Sequence, residues 1–132
     1  MKAKPSKYPF IVDKSHIYNR FIEEGISSIN LGWEIFGVEL HSELYCEEVK
    51  VDGVTEFESH TIKLEMNLSD KDARETIIHE IYHCMLEGCG LDEKNFDGNR
   101  MLLTNEQLVV ALSKQTLLVH NLNPKLNSTL YA

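Results

Sequence analysis

Apolar residues recur at helical spacing across residues 16–29: Ile17, Phe21, Ile22, Ile26 and Ile29 fall on one side of a helix, with Gly25 as a weak interruption. The pattern then changes. Residues 33–40 form a short run rich in β-formers and predict a strand, and residues 44–51 predict another. Asp52-Gly53 is a hairpin dipeptide, so residues 54–58 are expected to return antiparallel on that strand. Residues 61–67 alternate, with Ile62, Leu64 and Met66 on one face and Lys63 and Glu65 on the other, the signature of a half-buried strand.

Helical signals resume at Ser69, an N-cap residue followed by Asp70 and Asp72, which suit the positive end of a helix dipole. The helix is expected over residues 70–87, with Gly88 and Gly90 able to end it. Residues 91–103 read as a loop, with Asp97-Gly98-Asn99 as turn residues. Thr104 and Gln107 form a capping box that opens a last helix over residues 105–122, which Pro124 bars from continuing. Helix, strands, helix, helix is the order of an α+β domain: a small, mostly antiparallel sheet packed on an N-terminal, a central and a C-terminal helix.

At 132 residues and 42% hydrophobic content, the chain is one ordinary domain spanning 1–132, with residues 1–8 read as a flexible end. The three prolines lie near the termini, and there is no repeat, low-complexity run or linker. The formal charge of -8 and the lack of a basic stripe argue against nucleic-acid binding. Cys46, Cys84 and Cys89 are odd in number and contain no C-x-x-C, so a disulfide framework is not expected, and free thiols suit a cytoplasmic protein. No signal peptide and no membrane-spanning run is read from the sequence.

The chemistry is concentrated in His79-Glu80-Ile81-Tyr82-His83, an H-E-x-x-H motif inside the central helix. Residues four apart lie one turn apart on one face, so both imidazoles can reach a single ion, and zinc accepts such nitrogens. Glu80, displaced around the helix from His79, can reach water at the ion without being a ligand, as a general base.

A zinc site needs a third protein ligand. Glu106, in the first turn of the last helix, is the expected one; its bland alternative is a carboxylate that complements the helix dipole. Among the rivals, Cys89 stands six residues after His83, but Leu86 occupies the glycine position of the metzincin pattern. Glu87 falls at a helix end, and Asp92, Glu93 and Asp97 are loop acids. His120 is separated from Glu106 by about 21 Å of helix and reads as a packing or surface residue. Tyr82, Tyr45, His60 and Arg74 are all conceivable oxyanion helpers, and the sequence does not choose among them.

The run Thr61-Ile62-Lys63-Leu64 followed by Glu75 to His83 resembles the edge strand and active-site helix of minimal zincins. Thr104-Asn105-Glu106-Gln107 and its helix, closing on Asn123-Pro124, resembles small phage-encoded metallopeptidases of the ImmA/IrrE-like, gluzincin type. The resemblance covers residues 33–124, and only H-E-x-x-H in it is specific. It implies a zincin-like fold and a zinc-dependent peptidase of the prokaryotic or phage-infected cytoplasm. His79, His83 and Glu106 would be its ligands, Glu80 its base, and a peptide would lie antiparallel to residues 61–67. The chain departs from larger relatives in having no DNA-binding or visible specificity domain. The competing expectation is a non-catalytic adaptor in which zinc clamps the helices; a metal-free scaffold is a third.

Overall fold

The computed structural model describes residues 14–91 and 104–132. The expectations for residues 1–8, and for the loop beyond Leu91 with its turn at Asp97 to Asn99, lie outside the described residues.

The first helix, α1 (Ile17–Glu23), is shorter than its apolar spacing suggests. Gly25 adopts φ 70°, Ile26 N–H reaches back to Phe21 C=O at 2.8 Å and Gly25 N–H to Ile22 C=O at 3.1 Å. This is a glycine-terminated helix end, so the weak interruption is in fact the stop. Residues beyond it form β1 (Ser28–Asn30), which the helical pattern had hidden.

A four-stranded mixed sheet follows from β1, β2 (Ile35–His41), β5 (Gly53–Glu56) and β6 (Thr61–Glu65), in the order β1-β2-β6-β5. Two pairings are antiparallel and one, β2 with β6, is parallel. Residues 61–67 are therefore not an edge: β6 has a strand on each side, and Ile62, Leu64 and Glu65 are all buried. The edge strands are β1 and β5.

The expected single strand over residues 44–51 is also corrected. It is a small hairpin of its own, β3 (Tyr45–Cys46) with β4 (Val49–Lys50). Its turn is Glu47-Glu48, with φ 50° and 69°, the left-handed pair that two-residue hairpins require. Asp52-Gly53 is thus no turn, and β5 pairs with β6 rather than folding back on residues 44–51.

The helix α2 (Asp70–Gly88) matches its capping signals. Ser69 Oγ accepts the Asp72 N–H at 3.1 Å, and Gly90, at φ 74°, closes the C-terminal end. Its buried face is Ala73, Ile77, Glu80, Ile81 and Cys84, at the three- and four-residue steps that turn one side of a helix onto a sheet. Glu80 therefore sits within an apolar stripe.

The helix α3 (Asn105–Leu122) begins on the Thr104/Gln107 capping box and ends at Asn123. Asn123 Nδ2 donates to Val119 C=O and Asn30 C=O, both at 2.7 Å, and its Oδ1 accepts the Asn30 N–H, tying this helix end to β1. Pro124 stops α3 and also starts α4 (Pro124–Leu130), a helix the sequence reading did not contain; its Leu126 and Leu130 join the core. No helix among the described residues is long and apolar enough to cross a membrane.

Candidate metal centre

Because His79 and His83 lie one turn apart on the open side of α2, their rings meet. The Nε2 atoms stand 3.2 Å apart, with ring centroids at 4.8 Å. Two nitrogens bound tetrahedrally to one zinc ion at 2.0–2.1 Å would be about 3.3 Å apart. The pair therefore has the spacing of two ligands of one ion.

Glu80 lies just inside the pair, only 4% exposed. Its Oε1 accepts a hydrogen bond from Thr55 Oγ1 at 2.7 Å. That hydroxyl, on β5, fixes the carboxyl against α2 and satisfies one of its buried lone pairs.

The other oxygen, Oε2, lies beside Gly53. A Cβ built on Gly53 would fall 2.6 Å from Thr76 Cγ2 and 3.2 Å from both Cγ and Oε2 of Glu80. Glycine is required here by the close approach of strand to helix, and its φ is not among the positive ones. Gly53→Ala is expected to cost about 1–3 kcal/mol by overpacking and to push the carboxylate away from β5. Thermal denaturation checks the first effect, and loss of the Thr55 hydroxyl contact in a crystal structure checks the second.

The space between α2 and β5 is an open cleft with two lobes. One, of about 300 Å³, is lined by Asp52, Gly53, Glu75, Thr76, His79 and Glu80. The other, of about 270 Å³, is lined by Gly53, Val54, Thr55, Phe57, His79, Glu80 and His83. The β5–β6 ladder alternates, with Asp52 C=O accepting the Glu65 N–H at 2.7 Å. The next residue, Gly53, and then Thr55, accordingly turn their N–H and C=O to the outer edge of β5, which no strand covers among the described residues.

Comparison with protein-family models, with curated proteins and with solved structures finds no match. The site is therefore read from its own atoms.

The structure brings together His79, His83 and Glu80 but not Glu106. Glu106 is exposed in the first turn of α3. That helix meets α2 further along its length: Thr116 Oγ1 contacts Met85 Sδ at 4.0 Å, and Gln115 Oε1 approaches the Gly88 position. Glu106 precedes Gln115 by about 14 Å of helix, beyond the end of α2. Among the described residues, no group of three or more His, Cys, Asp or Glu could hold a metal ion.

Among the described residues the rivals do not complete such a group either. Cys89 caps α2, and burial raises its thiol above the ordinary value. Glu87 belongs to the last turn of α2, and Asp92, Glu93 and Asp97 lie outside the described residues. His120 packs on the Tyr131 ring at 6.1 Å, as a packing residue does.

Of the possible oxyanion helpers, Arg74 is engaged by Asp70 at 2.9 Å and by Leu130 C=O at 2.7 Å. Tyr82 faces the groove between α2, α3 and α4, and His60 faces Glu34 at 3.4 Å. None of these three, nor Tyr45, lines the cleft. Sequence reasoning missed Gly53 and Thr55. Gly53 carried a signal that pointed to a turn, and Thr55 carried none, because its partner is 25 residues away.

Proposed function

We propose that this chain is a zinc-dependent metallopeptidase in which His79 and His83 hold the ion and Glu80 is the general base. One observation carries the reading: two Nε2 atoms converge at 3.2 Å beside a buried carboxylate that an edge strand holds in place.

Bound there, zinc would supply Lewis acidity, polarising a carbonyl and acidifying water. The remaining work belongs to the chain. Strand addition of an extended peptide is proposed for the outer edge of β5, through the N–H and C=O groups of Gly53 and Thr55, because β6 is flanked on both sides. Thr55 holds one oxygen of Glu80. The other oxygen, Oε2, takes a proton from water and returns it to the leaving amine. Burial of the carboxylate beside the apolar core limits competing water around it.

Glu106 is the candidate third ligand on sequence grounds alone; here α3 carries it beyond the end of α2, away from the two histidines. Elemental analysis tests the set. Wild type should carry about one zinc per chain, and His83→Ala should carry almost none. Glu106→Gln should lose affinity at least about tenfold. Full zinc in His83→Ala would remove the basis of the proposal, and unchanged affinity in Glu106→Gln would transfer the third position to another residue.

The second reading, an adaptor that binds without cleaving, has one observation in its favour: Val109, Val110 and Leu117 are exposed on α3. It predicts no Glu80-dependent cleavage of any peptide, so a peptide-library digest separates the two.

A further inference from the structure

Resting on the peptidase reading, we infer that Thr55 is a positioning residue that couples substrate docking to the aim of the base. A peptide that pairs with its backbone fixes its hydroxyl, and through the hydroxyl it fixes Glu80. Thr55 has two working sides. Its N–H and C=O turn to the outer edge of β5, because Asp52 C=O takes the ladder bond from Glu65 and the pattern repeats every second residue. Its side chain turns to α2, where Oγ1 donates to Glu80 Oε1 at 2.7 Å. Gly53 alternates in the same way but has no side chain with which to reach the carboxylate.

The base depends on that hydroxyl. Glu80 is buried, and Thr55 Oγ1 is its one hydrogen-bond donor among the described residues. Where Oγ1 stands therefore sets the direction in which Oε2 points. The strand that carries Oγ1 is four residues long and has a ladder on one side only, to β6. An added peptide supplies the second ladder and clamps Thr55 from both sides. The β-branched side chain passes this on, because its stiff χ1 ties Oγ1 to the backbone. Serine would carry the same hydroxyl on a freer rotamer, and valine the same branch with no donor.

The probe is the nonapeptide cleaved best in a randomised library, with a set of copies each N-methylated at one backbone nitrogen. In Thr55→Val, kcat should fall by between about 10- and 100-fold, with KM within about threefold and zinc content unchanged. Thr55→Ser should return kcat to within about fivefold of wild type, because the donor is restored. N-methylation at the position opposite Thr55 should lower wild-type kcat about tenfold, yet change kcat of Thr55→Val by no more than about twofold, since the link is already cut.

Amide hydrogen exchange reads docking without turnover. In metal-free wild-type protein, saturating nonapeptide should slow exchange at Gly53 and Thr55 at least about tenfold, and the copy methylated opposite Thr55 should not slow it at Thr55. This measurement and the serine variant stand even if Thr55→Val does not fold. With Glu80-dependent cleavage present, three results would each overturn this inference and leave the peptidase reading standing: no rescue by serine, equal sensitivity of wild type and Thr55→Val to N-methylation, or unslowed exchange at Gly53 and Thr55. No Glu80-dependent cleavage at all would overturn both.

Discussion

Glu80→Gln should retain about one zinc per chain and a wild-type melting temperature, yet hydrolyse peptides about 10³-fold more slowly. The amide has the shape of the carboxylate, and its oxygen can still accept the Thr55 hydroxyl now found at 2.7 Å, so the buried site keeps its packing and its hydrogen bond. What it loses is the capacity to take a proton. His79 and His83 are untouched, so the ligand pair stays at its spacing. A steady-state assay on library-derived peptides, with zinc content measured on the same samples, checks both halves. Activity within a few-fold of wild type would show that the proton goes elsewhere.

The second large effect concerns the fold. Glu65→Ala is expected to cost about 3 kcal/mol and to lower Tm by about 10 °C. Glu65 is 2% exposed, and its carboxylate accepts the N–H of Leu44 at 2.8 Å, the N–H of Asn67 at 3.0 Å and Lys50 Nζ at 3.2 Å. It holds the base of the β3–β4 hairpin to the central strand. Removing it leaves two backbone donors without their partner. Lys50→Ala, by contrast, should cost under about 1 kcal/mol, because that side chain is 55% exposed.

The same group makes stability depend on acid. Burial alone would push the Glu65 carboxyl up, but the Leu44 and Asn67 N–H groups, with Lys50, outweigh it and hold the carboxyl below its ordinary value of 4.5. A carboxyl with a lower value folded than unfolded stabilises the fold above the unfolded value, and that contribution disappears as pH falls through the folded one. The difference in Tm between wild type and Glu65→Ala should therefore be full at neutral pH and shrink as pH falls below the ordinary value of 4.5. A difference that stays constant down to pH 2 would contradict it.

What could be read from the sequence was what local chemistry decides. Ser69, the Thr104/Gln107 box and the paired histidines act within one or two turns, so α2, α3 and the convergence of His79 with His83 were legible. Sheet order was not. The alternation of residues 61–67 described a strand with one wet face, yet Glu65 is hidden by donors from residues 44 and 67. Asp52-Gly53 reads as a turn in any context, whereas this glycine answers to Thr76 and Glu80 across the cleft. Pro124 reads equally as a stop and a start, and only the burial of Leu126 and Leu130 shows the second. The distance between Glu106 and the histidines depends on how two helices slide, which no spacing along the chain encodes.

The bare backbone at Gly53 also decides where this molecule is open to redesign. Since any side chain at position 53 would crowd Thr76 and displace Glu80, a library aimed at new selectivity gains nothing by diversifying it. The facing Glu75 and the distal Phe57, which also line the cleft, are the positions at which evolution, or an engineer, has freedom to rewrite what enters.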